Sequence, residues 1–271
     1  MNTTVSPPDL LATIVAATAR AVAVRSREVP IDALEKRARD ERRQPRGGAF
    51  ERVLRESAAP RVIAECKRRS PSRGILRADY DPAAHARAYE EAGAAAISVL
   101  TEPTFFDGAL EHLRTVRAAV QVPVLRKDFI VSRYQLAEAV ANGADAVLLI
   151  VSALDDRQLR ELLEYAHQLG LACLVEVHDP AEITRALEAG ARVVGVNSRN
   201  LRTLTVDMRV LETAATLLPQ SVTAVAESGI RSTEDLARLS AADYQAFLVG
   251  ERLMIQPDPG AALKTLRGVP A

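Results

Sequence analysis

Eight short apolar runs, each separated from the next by a longer segment, set the tightest limit on how this chain can fold. They span Arg61–Cys66, Ala95–Leu100, Pro123–Arg126, Ala146–Ile150, Ala172–Val177, Val193–Val196, Val222–Ala226 and Ala246–Val249. Their length and β-branched content suit buried strands. Segments such as Pro82–Ala92, Ser132–Asn142, Asp155–Leu169, Asp179–Ala189 and Thr233–Leu239 carry the helical period instead. Between Lys67 and Gly250 the unit recurs about every 26 residues, enough for a strand, a loop and a helix. Gly93, Gly143, Gly170 and Gly190 each close a helix just before a strand, where a left-handed C′ residue ends the helix without a Cβ penalty. The segment Lys67-Arg68-Arg69-Ser70-Pro71-Ser72 lacks the glycine-rich turn that a dinucleotide-binding sheet needs after its first strand. The rhythm predicts an α/β chain: a single (β/α)8 TIM barrel over residues 61–271, with an N-terminal helical extension.

That extension, with a basic linker, is expected to occupy residues 1–60. Apolar residues at Leu10, Ile14, Ala17, Ala21 and Val24 predict a helix from Asp9, its N-cap, to about Arg27, and Pro30 opens a second helix to about Arg39. Arg42, Arg43, Pro45, Arg46, Gly47 and Gly48 read as the linker. No aromatic residue interleaves with its charges, so a solvated connection is favoured over a site for an anionic partner. The two amphipathic helices need an apolar surface to bury, and the mouth of the barrel is the expected one.

Charge and cysteine usage narrow the class further. Thirty-five Lys and Arg balance 35 Asp and Glu, which removes a global drive toward nucleic acid or a membrane surface. No apolar run reaches the ~20 residues of a spanning helix. Two cysteines make no disulfide framework, and Asp9 interrupts an N-terminus without early Lys or Arg, so a cytoplasmic setting without a signal peptide is expected. Nothing in the sequence sets an oligomeric state.

A buried parallel strand should read as uninterrupted apolar residues, yet five of the runs end in polar ones. These are Glu65 and Lys67, Lys127, Glu176, Asn197 with Arg199 just beyond, and Glu227. Alternation places Glu65 and Lys67 on the face of Ile63, Lys127 on that of Leu125, Glu176 on that of Leu174, and Glu227 on that of Val225. All then point inward at the C-terminal mouth, where barrel enzymes carry their chemistry. A structural salt-bridge network would use the same residue types, but five strands carrying charge to one mouth favour catalysis. Ser228-Gly229 and Gly250-Glu251 follow the seventh and eighth strands, the loops whose backbone N–H groups cradle phosphate in this fold. His85, His112 and His167 fall on helices; His178 follows the fifth strand within reach of the site, but a solvated or capping role is favoured; Cys66 should face the helices as a core residue. No spacing suggests a metal site.

The ordered strings are specific enough to compare with a family. Ile63-Ala64-Glu65-Cys66-Lys67-Arg68-Arg69-Ser70-Pro71-Ser72 resembles the first-strand signature of indole-3-glycerol-phosphate synthases. Leu100-Thr101-Glu102, Leu125-Arg126-Lys127-Asp128-Phe129, Val175-Glu176-Val177, Val196-Asn197-Ser198-Arg199-Asn200-Leu201, Ala226-Glu227-Ser228-Gly229-Ile230 and Leu248-Val249-Gly250 follow in the family's order. The resemblance implies conversion of 1-(2-carboxyphenylamino)-1-deoxyribulose 5-phosphate to indole-3-glycerol phosphate, carbon dioxide and water in tryptophan biosynthesis, with neither metal nor organic cofactor. It implies Lys127 as general acid at the C2′ carbonyl, with Glu176, Glu65 and Lys67 sharing later proton transfers and Asn197 and Glu227 completing the catalytic set.

Carried over in the same way, Arg199, Asn197 and Ser70 contact the carboxylate and sugar hydroxyls, and Phe106, Phe129, Leu148 and Leu248 line the ring pocket. Glu227 and Ser228 sit at the site, while Gly229, Gly250 and the Glu251 amide hold phosphate. Arg252, where the family usually has a small residue, is expected on the surface. A phosphoribosylanthranilate isomerase would need only one acid and one base, leaving two Lys and three Glu at strand ends unexplained. A non-catalytic scaffold would have lost mouth charges that this chain keeps.

Overall fold

The computed structural model describes residues 9–40 and 44–269. The helices α1 (Leu10–Glu28), α2 (Ile31–Asp40) and α3 (Gly47–Glu56) come first. Then follow β1 (Arg61–Cys66), the antiparallel pair β2 (Arg69–Ser70) and β3 (Gly74–Ile75), α4 (Pro82–Glu91), β4 (Ala96–Leu100), α5 (Leu110–Ala119), β5 (Val124–Lys127) and α6 (Arg133–Ala141). The second half comprises β6 (Ala146–Ile150), α7 (Asp156–Gln168), β7 (Ala172–Val177), α8 (Pro180–Glu188), β8 (Val193–Asn197) and α9 (Arg209–Ala215). It ends with β9 (Thr223–Glu227), α10 (Thr233–Ala241), β10 (Ala246–Val249), α11 (Glu251–Met254) and α12 (Pro259–Leu266).

Eight strands run parallel in the order β1-β10-β9-β8-β7-β6-β5-β4, and β1 pairs with both β4 and β10, so the sheet closes into the expected barrel. Every predicted strand lies within one residue of an observed one. The local reasons are visible in the caps. Asp81, Asp179 and Asp258 accept from the backbone N–H three residues on, and each is followed by proline at the first helical position. Gly93, Gly143, Gly170 and Gly190 have φ of 82°, 84°, 79° and 88°, the left-handed conformation their position requires.

Alternation along the strands divides the core into two layers. Ile63, Leu125, Leu148, Leu174, Val225 and Leu248 fill the barrel, while Val62, Val99, Val147, Val175, Val194 and Phe247 pack against the helices. Each such side chain stabilises the fold by ~1.5–3 kcal/mol of transfer free energy, before conformational entropy is subtracted.

Two expectations for the N-terminal segment need correction. Gly47 and Gly48, read as linker, instead form the first turn of α3, whose Phe50 and Leu54 are fully buried in the interior cluster. Arg42 and Arg43 lie outside the described residues. Gly47 donates its N–H to the Gly170 carbonyl, and a Cβ there would lie 2.5 Å from the Ala172 backbone nitrogen. Glycine marks a close approach here, not a chain break. Gly47→Ala is therefore expected to cost ~1–3 kcal/mol of stability, read as a lower thermal midpoint. An unchanged midpoint would show that α3 can shift without cost.

The buried face of α1 is also different from the one expected. Leu11, Ile14, Thr18 and Val22 are covered, whereas Val24 is 54% exposed. The helix is alanine-rich and has no sharp apolar stripe, so its docking partners select the face. Val22 joins Leu34 and the Tyr134, Ala137 and Ala141 side chains of α6, while Leu11 and Ile14 reach the barrel mouth. Among the described residues no helix is long and apolar enough to cross a membrane.

Candidate active site

A cavity of about 500 Å³ opens at the C-terminal ends of the strands. Glu65, Lys67, Lys127, Glu176, Asn197 and Glu227 all line it, at or just beyond the ends of five strands, with Glu65 and Lys67 sharing β1. Phe106, Phe129, Leu148 and Leu248 form an apolar wall, with the two aromatic rings 6.0 Å apart. Ser70, Arg199, Ser228, Gly229, Gly250 and Glu251 occupy the rest of the rim. Leu10, Leu11 and Ile14 of α1 also line it, so the N-terminal helix covers part of the mouth.

The charged groups are held by one another. Lys127 Nζ donates to Glu176 Oε2 at 3.1 Å and lies 3.6 Å from Glu227 Oε2. Lys67 Nζ donates to Glu65 Oε1 at 2.6 Å. Burial alone would lower the Lys127 ammonium, but the carboxylates of Glu176, Glu227 and Glu65 outweigh it and keep the amine protonated. Burial would raise Glu65 and Glu176. Lys67 and Lys127 reverse this for Glu65, and Lys127, His178 and Asn197 reverse it for Glu176, so both stay ionised. Glu227 goes the other way: burial and then the Glu176 carboxylate push it up, against the pull of Lys127. Two carboxyl groups sharing one ammonium thus settle into an ionised and a protonated member. Gly195 makes this packing feasible, since a Cβ there would collide with the Glu227 carboxyl group.

The side chains behind the site brace these positions. Arg126 precedes Lys127 and points outward, with its residue only 1% exposed. Its Nη2 donates to Asp128 Oδ2 at 2.9 Å and Glu138 Oε2 at 3.3 Å, and its Nη1 to the Gln135 carbonyl at 2.7 Å. Arg25 of α1 closes the chain, donating through Nε to Glu138 Oε1 at 2.6 Å. After β4, the buried Glu102 carboxylate accepts the backbone N–H groups of Thr104, Phe105 and Phe106 at 2.9, 2.6 and 3.1 Å, which fixes the Phe106 loop.

At the opposite side of the mouth, Ser228 and Gly229 have φ of 66° and 75°. The Ser198 hydroxyl steadies that turn, lying 3.2 Å from the carbonyls of both Glu227 and Ser228. Glu251 opens α11 after Gly250, and the first N–H groups of a helix have no intrahelical acceptor. Its carboxylate meets Arg73 Nε at 2.8 Å and Arg199 Nη2 at 3.4 Å.

Sequence comparison gives the family. The family model for indole-3-glycerol phosphate synthase matches residues 11–266. The chain belongs to the indole-3-glycerol phosphate synthase family. A synthase of that name from Parafrankia sp. is 54% identical over 240 residues, covering 88% of this chain and 87% of that one. Another, from Sulfurimonas denitrificans, is 50% identical over 207 residues, covering 76% and 79%. Among solved structures, thiamine phosphate pyrophosphorylase from Pyrococcus furiosus superposes with a TM-score of 0.61 at 19% identity, covering 81% of this chain and 96% of that one. That likeness reports the barrel alone. As a member of the indole-3-glycerol phosphate synthase family the chain is a carboxy-lyase of tryptophan biosynthesis, acting on a small phosphorylated substrate.

Within this family member, all sixteen site residues expected from the sequence line one cavity. His178 was misassigned. It is neither solvated nor a helix cap: its side chain is 14% exposed and its Nε2 lies 3.3 Å from Glu176 Oε1. The signal was present, because the alternation that turns Glu176 inward also turns His178 the same way. The α1 residues at the mouth, and Leu201, Leu204 and Val206 after β8, also went unassigned. Short apolar residues in loops carry no period. His85 and His112 flank Tyr80 away from the cavity, and Cys66 is buried among helix-facing residues. Arg252 is exposed, though its residue borders the cavity.

Proposed function

We propose that the chain closes the pyrrole ring of 1-(2-carboxyphenylamino)-1-deoxyribulose 5-phosphate, with Lys127 as the general acid. The observation that carries this is the Lys127 ammonium between Glu176 and Glu227, facing an aromatic wall across from the glycine-rich turns. The anthranilate ring lies against Phe106, Phe129, Leu148 and Leu248. The phosphate lies at the far side, against the backbone N–H groups of Ser228-Gly229 and Gly250-Glu251. Arg199, Asn197 and Ser70 meet the carboxylate and the sugar hydroxyls, the Arg fork suiting a planar carboxylate.

Attack of the ring carbon on the C2′ carbonyl turns that oxygen into an alkoxide, which takes the Lys127 proton to become a hydroxyl. Carbon dioxide then leaves, and its bonding electrons restore the aromatic ring. Dehydration follows: an acid gives a proton to the departing hydroxyl and a base removes one from the carbon that becomes part of the indole. Glu227 is the carboxyl group that holds a proton, and Glu176 is the one that can accept it, with Glu65 and Lys67 alongside. No step calls for a metal or an organic cofactor.

A cytoplasmic setting, no nucleic-acid or membrane partner, and a division into an extension over 1–60 and a catalytic barrel over 61–271 belong to the same reading. Two buried free cysteines and the balanced charge support it. The test is direct. Purified protein mixed with the carboxyphenylamino-deoxyribulose phosphate should develop indole fluorescence, and a folded protein that yields no product would overturn the reading.

A further inference from the structure

His178 stands just outside the cavity, between the Glu176 carboxylate at the site and the Glu182 carboxylate of α8. Its Nε2 is 3.3 Å from Glu176 Oε1 and its Nδ1 is 3.1 Å from Glu182 Oε2. The same Glu182 oxygen accepts the His178 backbone N–H at 2.7 Å. Glu182 is itself fixed in the first turn of α8, where its N–H donates to the Asp179 cap at 2.9 Å. Nδ1 has hydrogen-bond contact with Glu182, while Nε2 meets Glu176 at ion-pair distance without hydrogen-bond geometry; a carboxylate at each nitrogen favours the protonated ring. The remaining Glu176 oxygen faces Lys127.

We infer that His178 is a positioning residue for the reaction: anchored by Glu182, it aims the Glu176 carboxylate at Lys127 and supplies the second cation that faces it. The inference rests on Glu176 acting as the proton acceptor. The charged groups facing Glu176 are Lys127 from β5, Glu227 from β9, Glu65 from β1 and His178 itself. Those facing His178 are Glu176 from β7 and Glu182 from α8, and the adjoining turn Val151–Ala153 carries no titratable side chain. Burial alone would lower the ring, but the two carboxylates push it up to about 10. The cation therefore persists at neutral pH. Glu176 therefore faces two cations, Lys127 and His178, whereas Glu227 faces Lys127 alone, and this difference favours ionisation of Glu176.

The experiment compares His178→Ala, His178→Gln, Glu182→Gln and Glu176→Gln in the full chain, with the carboxyphenylamino-deoxyribulose phosphate as substrate. His178→Ala is expected to lower kcat by roughly 10- to 100-fold, the scale of a misaligned catalytic group. KM should stay within about two-fold, since the ring does not itself line the cavity. Loss of the cation raises the Glu176 carboxyl, so the acid limb of the kcat profile moves up by about one pH unit. His178→Gln keeps a donor near Nε2 and should restore part of kcat but not the limb. Glu182→Gln should move the limb the same way from outside the site, which keeps the test alive if His178→Ala fails to fold.

Wild-type kcat and pH profile in the His178 variants, alongside an inactive Glu176→Gln, would overturn the inference alone. An active Glu176→Gln would instead overturn the role of Glu176. A fall in thermal midpoint with kcat and acid limb unchanged would reduce His178 to a structural residue, which also overturns the inference.

Discussion

Turnover of the Lys127→Met variant is expected to fall by at least ~100-fold, with KM changed far less, because the lost proton donor acts in the transition state. Methionine fills nearly the same volume without the ammonium. Its loss leaves Glu176 and Glu227 in one buried pocket without their shared cation, so Glu176 should take up protons at higher pH than before. Single-turnover indole fluorescence separates the chemical step from product release. Activity within tenfold of wild type in a folded variant would remove Lys127 from its role. A thermal midpoint measured beside it distinguishes lost chemistry from lost fold.

Arg126→Met is expected to cost ~3–5 kcal/mol of stability, the largest effect anticipated away from the cavity. The guanidinium is buried against Asp128, Glu138 and Thr101, and its removal takes a cation from both carboxylates. Arg25 can still answer Glu138, but Asp128 loses its cation. At ~2–4 °C per kcal/mol for a chain of this size, the thermal midpoint should drop visibly. Adding Asp128→Asn should recover part of the loss, since the stranded charge is then gone. If Arg126→Met alone proves as stable as wild type, the network is dispensable and Lys127 is held by the strand alone. Because the network runs from α1 to the end of β5, loss of its central cation should also loosen the Lys127 end of the strand and lower kcat.

The barrel was legible because two periods, one for strands and one for helices, alternate with capping residues at fixed places. Asp-Pro at helix starts and Gly before strands are chemical statements about φ and hydrogen bonding, readable one residue at a time. The mouth was legible for a different reason. Charge on an otherwise apolar strand is expensive, so Glu65, Lys127, Glu176 and Glu227 announce a site whatever lies around them. Alternation then gave their direction. His178 obeyed the same rule and was still missed, because an imidazole just past a strand end is cheap to expose.

The failures share one cause. Gly47 looks like a breaker in the sequence, and only the backbone of Gly170–Ala172 beside it shows that glycine is there to let α3 approach. The face that α1 buries was selected by α6, more than a hundred positions away, and by the barrel mouth, whose residues are drawn from strands along the whole chain. Arg126 reads as one more charge in a polar string until Asp128, Glu138 and Arg25 surround it.

Local sequence, by itself, determined the order of elements, the closure into a barrel and the direction of the charged side chains, since each depends on dihedral preference and a period of two or 3.6. Tertiary structure alone decided which carboxyl group carries the proton, what His178 touches and which face α1 buries. Those depend on distances between residues remote in sequence, in a buried site where a charge is stable only beside its partner.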